Sequence, residues 1–346
     1  MKKLLFGFVL LLVVGAGIGA WIFLGSATGF SSAKQALYIR TNAATKQAIL
    51  DSLTKNKIVT NTAAFSWLAG RMDLWKRIHP GKYEIKKGSN LLTIIRTLRN
   101  GRQTPVNLVI TKLRTKEDFA RLTGNKFEFD SLQMMSFLNS NDSLAAFEVD
   151  TSTALSVVLP DTYSYFWNTT PSAVLKKLHA ESKKFWTDER KQKAQQHGLT
   201  PVQAYALASI VEEETTNNAE KGTIASVYLN RIKIGMPLQA DPTVKFALKD
   251  FGLKRIYQKY LQVESPYNTY RNKGLPPGPI CTPSKKTIEA VLDAPATTYL
   301  YFVARPDVRE THDFSTSYNE HLKKARSYHQ ELNRRDSANK AKTETR

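Results

Sequence analysis

The stretch TPVQAYALASIVEEET, Thr200–Thr215, ends an apolar run on three consecutive carboxylates. Thr200 followed by Pro201 reads as a helix start, with the threonine as N-cap and the proline in the first turn. Counted as a regular helix, Leu207, Ile210, Val211 and Glu214 fall at i, i+3, i+4 and i+7, one above another on a single face. Glu212 and Glu213 then turn about 200° and about 100° away from that stripe. Glu214 is the carboxylate on the apolar side. Removal from water raises a carboxyl pKa and favours the protonated form that a general acid needs near neutral pH. The alternative is a helix that ends at Glu213 or Glu214, with all three side chains in water.

The flanking text is also helical. SAVLKKLHAESKKFWTDERKQKAQQHG stops at Gly198, and TIASVYLNRIKIG stops at Gly235. In LQADPTVKFAL, Asp241 before Pro242 reads as an N-cap with proline at the first helical position, which accounts for this aspartate without a catalytic role. ESPYNTYRNKGLPPGPICTP, Glu264–Pro283, is too rich in proline and glycine for a regular element and carries Tyr267, Asn268 and Tyr270. Sugar sites need flat aromatic faces for ring C–H surface and amides for hydroxyl and N-acetyl groups. The loop suits such a site, and equally suits a rigid surface turn with packed tyrosines.

Toward the N-terminus three segments share a strand, turn, helix order, beginning at Leu37, Lys82 and Val106. In the second, Leu91, Ile94, Ile95 and Leu98 make a helical stripe closed by Gly101. In the third, Thr115 with Asp118 forms a capping box. The Y-x-I-x-x-G-S pattern of the second, Tyr83–Ser89, resembles a LysM-type glycan-binding motif over about 78–103; a plain α+β spacer is the other reading. The Asn-, Ser- and Asp-rich text between Asn125 and Leu155 marks the expected boundary between a membrane-proximal region, 25–150, and a mainly helical domain, 155–332. The stretch 333–346 has almost no apolar residues and is expected to be disordered.

Leu4 to Leu24 carries no charge. About 21 residues at roughly 1.5 Å each span about 30 Å, enough for a bilayer core, so residues 4–24 read as a transmembrane anchor. A cleaved signal peptide is the rival, but the run exceeds a usual h-region and no small-x-small site follows it. Lys2 and Lys3 keep residues 1–3 in the cytoplasm and send the remainder across the cell (inner) membrane. The net charge of +20 favours an anionic partner, and for an exported chain that means acidic phospholipid or an anionic wall polymer instead of nucleic acid. An even scatter of surface lysine and arginine would give the same figure. The lone cysteine, Cys281, excludes an internal disulfide and reads as a small buried residue. No HExxH, P-loop, GxGxxG or GxSxG pattern occurs, so neither metal nor cofactor is expected.

Taken together, LPDTYSYFWNTT (Leu159–Thr170), ASIVEEET (Ala208–Thr215), IASVYLNRIKIGMPLQADPTV (Ile224–Val244), SPYNTYRNKGLPPGPICTP (Ser265–Pro283), and YLYFVARPD with HDFSTSYNEH (Tyr299–His321) resemble the endolytic murein transglycosylase, or YceG-like, family. Order, spacing and N-terminal anchor all agree with it. One departure lies before LPDTY, where the family usually has an acidic residue and a glycine and this chain reads ALSVV.

The resemblance implies an α+β protein with a transmembrane helix, a LysM-like α+β module and a mainly helical catalytic domain with short strands. It implies a lytic transglycosylase that cuts the β-1,4 bond between N-acetylmuramic acid and N-acetylglucosamine within peptidoglycan strands, leaving 1,6-anhydro ends and terminating nascent strands. By the match Glu214 is the essential glutamate and Glu212 the second choice; Gln239, Tyr267, Asn268 and Tyr270 are candidates for holding substrate. A peptidoglycan synthase is a plausible partner through the family's association with glycan synthesis. Two rivals stand beside it: a hydrolytic muramidase using Asp161 or Asp241 as a second carboxylate, and a non-catalytic peptidoglycan-binding scaffold.

Overall fold

The computed structural model describes residues 2–253, 255–305 and 311–344; the last two residues of YLYFVARPD, 306 and 307, lie outside them, as do 345 and 346 of the tail. The described chain is a mixed α+β structure, mostly helical, with three two-stranded sheets. It divides into two compact units, 1–108 with 123–130 and 163–170, and 109–122 with 131–162 and 171–346. One of the crossings between them, at 130 and 131, falls between Asn125 and Leu155.

The first unit opens with helix α1 (Lys2–Leu24). Leu5, Phe6, Leu11 and Trp21 are among its exposed apolar side chains, while Phe23 near its end is partly buried and stacks on Trp67. The side chains at 2–4, 16, 18–20 and 22 lie outside the description, and among the described residues no helix is long and apolar enough to cross a membrane. Strand β1 (Lys34–Ile39) buries Leu37 and Ile39 and leaves Tyr38 exposed, the period-two alternation of a strand with one face on a core. Helices α2 (Lys46–Lys55) and α3 (Thr62–Arg71) follow, with Thr45 and Asn61 as side-chain N-caps. Strand β2 (Gly81–Lys86) pairs antiparallel with β1, Leu37 opposite Tyr83. Helix α4 (Leu91–Arg99), capped by Asn90, buries Leu91, Ile94, Ile95 and Leu98. The segment at 78–103 is tied into the rest of this unit. Its strand is completed by β1, and its stripe shares one core with Leu37, Ile49, Leu53 and Phe65.

Strand β3 (Val106–Ile110) and helix α5 (Lys116–Gly124) follow, the latter opened by the reciprocal bonds of Thr115 and Asp118. Helices α6 (Ser131–Leu138) and α7 (Asn141–Leu144) precede strand β4 (Asp161–Tyr165), which pairs with β3.

The second unit continues with α8 (Pro171–Phe185), α9 (Asp188–Gln196), α10 (Pro201–Glu214), α11 (Lys221–Lys233), α12 (Asp241–Leu248) and α13 (Lys285–Leu292). Strands β5 (Tyr301–Ala304) and β6 (His312–Ser315) form a hairpin, and α14 (Tyr318–Glu344) closes the chain. Gly198 and Gly235 stand two residues past the ends of α9 and α11 with φ of 72° and 69°, a left-handed conformation that glycine adopts without steric cost. The stretch from Asn333, expected to be disordered, continues α14 to Glu344; its residues are fair helix formers, and Arg334 pairs with Glu331 one turn back.

Helix α10 is the centre of this unit. Thr200 accepts from the Gln203 N–H while the Gln203 side chain accepts from the Thr200 N–H, a complete capping box with Pro201 in the first turn. Eight successive residues, Ala204–Val211, are buried. A helix buried all round presents no solvent face, so each residue added at its end meets another element.

Candidate functional site

The three glutamates that end α10 go to three different environments. Glu212 accepts from Lys221 Nζ at 3.0 Å, Ser284 Oγ at 3.2 Å and Thr287 Oγ1. Lys221 is itself buried and also donates to Thr287 Oγ1 at 2.7 Å. Glu213 pairs with Lys112 at 2.9 Å and Arg114 at 3.0 Å. Burial would push its pKa up, but the bonds from Lys112 and Arg114 outweigh that and hold it below the ordinary range. Both carboxylates have counter-charges that fix them. Glu212 is thus committed to the packing of α10 against α11 and α13.

Among the described residues, no lysine or arginine is bonded to Glu214. Its Oε1 accepts from the Tyr228 hydroxyl at 2.5 Å, and the residue lines a cavity of about 270 Å³. Burial pushes its pKa up to about 7; the Tyr228 bond opposes this, and the charge of Asp241 adds to it. The group therefore titrates where one side chain can both give and take a proton near neutrality.

The walls come from five elements. Helix α11 supplies Tyr228 and, one turn on, Arg231. Arg231 donates to the carbonyls of Leu300 at 2.7 Å and Leu238 at 2.6 Å, tying β5 and the entry to α12 against the cavity, and lies over the Tyr301 ring. Gln239 stands at the mouth, exposed, with φ of 52° and its N–H donated to the Thr269 carbonyl at 3.1 Å. The Tyr270 hydroxyl donates to Asp241 Oδ1 at 2.6 Å, and burial, then that bond, pushes the phenol pKa up, so it stays a donor. Strand β5 adds Tyr301 and Phe302, and the start of α14 adds Tyr318 and His321. The His321 ring stacks on Tyr301 at 5.3 Å; burial, then Arg231, holds its pKa below the ordinary imidazole value.

Of the expected site residues, Glu214, Gln239 and Tyr270 meet here, and two do not. Tyr267 lines a different cavity, packed against Phe246 at 4.6 Å between centroids. Asn268 is fully buried: its amide donates to the carbonyls of Leu261 and Val263 at 2.9 and 2.8 Å, and its Oδ1 accepts from the Tyr270 N–H at 3.1 Å. It shapes the loop from within because a loop without regular ladders must satisfy its carbonyls through side chains. Asn268→Ala is therefore expected to lower stability by about 1–3 kcal/mol in thermal denaturation, as two partly buried carbonyls lose their donor.

Asp241 also departs from expectation. It is the first residue of α12, with Ala240 as an N-cap that has no capping side chain, and its carboxylate faces Tyr270 in the cavity. Asp161 bonds to Lys285 at 2.6 Å and does not line this cavity. Tyr228, Arg231, Tyr301, Phe302, Tyr318 and His321 were not singled out by sequence. The i, i+3 spacing of Tyr228 with Arg231 and of Tyr318 with His321 was a legible sign of shared faces, but not of which cavity they share. Cys281 is buried and donates to the Ser209 carbonyl, with burial raising its pKa, as befits a structural thiol.

A larger cavity, about 460 Å³, lies among Phe147, His179, Trp186 and Val202; Glu148, the carboxylate there, is exposed and paired with Lys183. Size favours that cavity, but a desolvated, proton-exchanging carboxylate is found in the Glu214 cavity.

The sequence pattern of the YceG-like family matches residues 37–327. A Bacillus subtilis protein named endolytic murein transglycosylase is 28% identical over 304 residues, covering 81% of each chain. Streptococcus pneumoniae proteins of the same name are 36% identical over 116 residues, which is 32% of this chain but only 21% of theirs. The crystal structure of a yceG-like protein from Listeria monocytogenes superposes with a TM-score of 0.54 at 26% identity, covering 85% of this chain and 99% of that one. With nearly the whole chain beyond its N-terminal helix inside the match, this protein belongs to the YceG-like family.

Proposed function

We propose that this protein is an endolytic murein transglycosylase cutting the β-1,4 bond between N-acetylmuramic acid and N-acetylglucosamine within glycan strands, with Glu214 as proton donor and acceptor. One observation carries this: the Glu214 carboxyl lines an aromatic-walled cavity with no cation bonded to it among the described residues, and burial there pushes its pKa up to about 7. The Tyr228 hydroxyl occupies one carboxyl oxygen, leaving the other for substrate. Glu214 protonates the bridging oxygen as its bond to C1 breaks and positive charge develops on the muramyl ring. The resulting carboxylate takes the proton of the muramyl 6-hydroxyl, whose oxygen bonds to C1, closing the 1,6-anhydro ring and returning Glu214 to its protonated state. Tyr270 and Gln239 are placed to hold the sugar, and Tyr301 and Tyr318 add flat faces.

Mass spectrometry of digested sacculi tests this: anhydro-muramyl ends are the expected product. Because the free protein must carry the Glu214 proton, kcat/KM is expected to stay level below and to fall as pH rises through about 7. The position of Asp241 in the same cavity favours one alternative, hydrolysis with Asp241 activating water, and reducing ends in place of anhydro ends would establish it.

The proposal extends to location. The uncharged run Leu4–Leu24 and the exposed apolar side chains of α1 suit a membrane anchor, with Lys2 and Lys3 holding the N-terminus in the cytoplasm and the Glu214 cavity on the extracytoplasmic side. There the enzyme would meet strands leaving a synthase. Carbonate extraction of membranes checks the anchor: the full chain is expected in the pellet.

A further inference from the structure

The aromatic loop serves two cavities. Tyr270 lines the Glu214 cavity, while Tyr267 lines another, of about 280 Å³, together with Arg114, Lys116, Phe246 and Lys249. Helix α12 links them: Asp241 at its start belongs to the first, and Phe246 near its end and Lys249, its C-cap, to the second. At about 1.5 Å per residue, the rise from Asp241 to Lys249 is about 12 Å, short enough for one substituted strand to touch both.

Their charges differ. The Glu214 cavity contains two carboxylates, with Arg231 committed to backbone carbonyls. The second cavity gathers Arg114, Lys116 and Lys249 around a single acidic residue, Glu117. Arg114 is engaged by Glu213 and Lys249 by Glu117, at 3.0 and 2.9 Å. Lys116 is partly buried and donates its ammonium to the neutral Asn139 side-chain oxygen at 2.7 Å, with no ion pair among the described residues. Burial, and then repulsion from Lys249, holds its pKa below the ordinary range against the attraction of Glu117 and Asp150. An anion seated here would relieve both costs.

The N-acetyl and hydroxyl groups of the glycan offer no such anion, and the muramyl lactyl group, amide-linked to its peptide, offers none of its own. The peptide carried on the muramyl lactyl group does, in its carboxylates. We propose that the cavity of Arg114, Lys116, Lys249 and Tyr267 receives a carboxylate of the muramyl-linked peptide, so that the protein discriminates peptide-bearing strands from bare ones. This rests on the Glu214 cavity being where glycan is cut.

The test is calorimetric binding of uncrosslinked glycan strands, peptides intact or removed by an amidase with the freed lactyl carboxylates then converted to amides, to the full-length Glu214→Gln protein. Peptide-bearing strands are expected to bind roughly three- to tenfold more tightly, and the added changes Lys116→Gln and Lys249→Gln are expected to bring the two Kd values together. Equal Kd values before those changes, or an undiminished ratio after them, would overturn the proposal. Failure of the cutting reading would show separately, as an absence of anhydro ends with the unsubstituted protein, while the binding ratio still decides the cation cavity.

Discussion

Glu214→Gln is expected to leave a folded protein whose rate of anhydro-end formation is lower by about 10² to 10⁴, the usual loss when a general acid/base is removed. Glutamine keeps the shape and can still accept from Tyr228 Oη, now 2.5 Å from the carboxyl, so packing is retained while proton exchange is lost. A stability measurement separates this from a structural defect. The folded chain raises the Glu214 pKa from 4.5 to about 7, so it binds the proton more tightly than the unfolded chain, and the native protein loses stability as pH rises between those values. The amide has no charge to bury. The variant is therefore expected to melt higher than the parent at about pH 8.5 and to lose that advantage below about pH 4.5. Undiminished product, or a lower melting temperature at alkaline pH, would remove Glu214 from the role.

Lys221→Met is expected to be the most destabilising single change considered, by about 3–5 kcal/mol, because it strands the Glu212 carboxylate without its cation. The lysine side chain is 5% exposed and that of Glu212 16% exposed, and the pair is bonded to hydroxyls of Ser284 and Thr287 that belong to the start of α13. Combining it with Glu212→Gln should restore much of the loss, since neither charge then remains buried, and denaturant titration of the four proteins measures the coupling. The fraction that stays folded is expected to keep its turnover. If Glu212→Gln alone abolished product formation, the assignment of the two glutamates would be reversed.

The contrast among Glu212, Glu213 and Glu214 shows what could be read from the chain. Helical counting selected Glu214 as the inward residue, and that is where the cavity lies. The premise behind the count was incomplete. A helix with one apolar stripe would have left Glu212 and Glu213 in water, whereas α10 is buried all round and every acid at its end meets something. The rotation of about 100° per residue sends them to different neighbours, two to cations and one to a tyrosine. The cations come from Lys112, Arg114 and Lys221, and the two in the segment after β3 lie about a hundred residues away in sequence, so no local pattern could supply them.

The loop residues divide along the same line. Composition marked Tyr267, Asn268 and Tyr270 as suited to sugar, but three neighbours in a turn cannot all face one cavity. Asn268 went inward to carbonyls, Tyr267 to the cation-lined cavity, and Tyr270 to Asp241. Asp241 was misread because an aspartate before a proline fits an N-cap so well. Here the extended Ala240 takes that position, its N–H held by Thr269 Oγ1 at 3.0 Å, and the carboxylate is left for the cavity.

Local, short-range physics was therefore settled by the sequence itself: the capping box of Thr200 and Gln203, the strand alternation of Leu37 and Ile39, the α4 stripe and the inward bearing of Glu214, all of which depend on residues a few positions apart. Tertiary structure alone decided which charges are neutralised and which are not, the union of Tyr228, Asp241, Tyr301 and His321 around one carboxyl, and the completion of the β2 segment by β1. Those outcomes depend on burial and on Coulomb interactions between groups far apart along the chain, and both are properties of position in space.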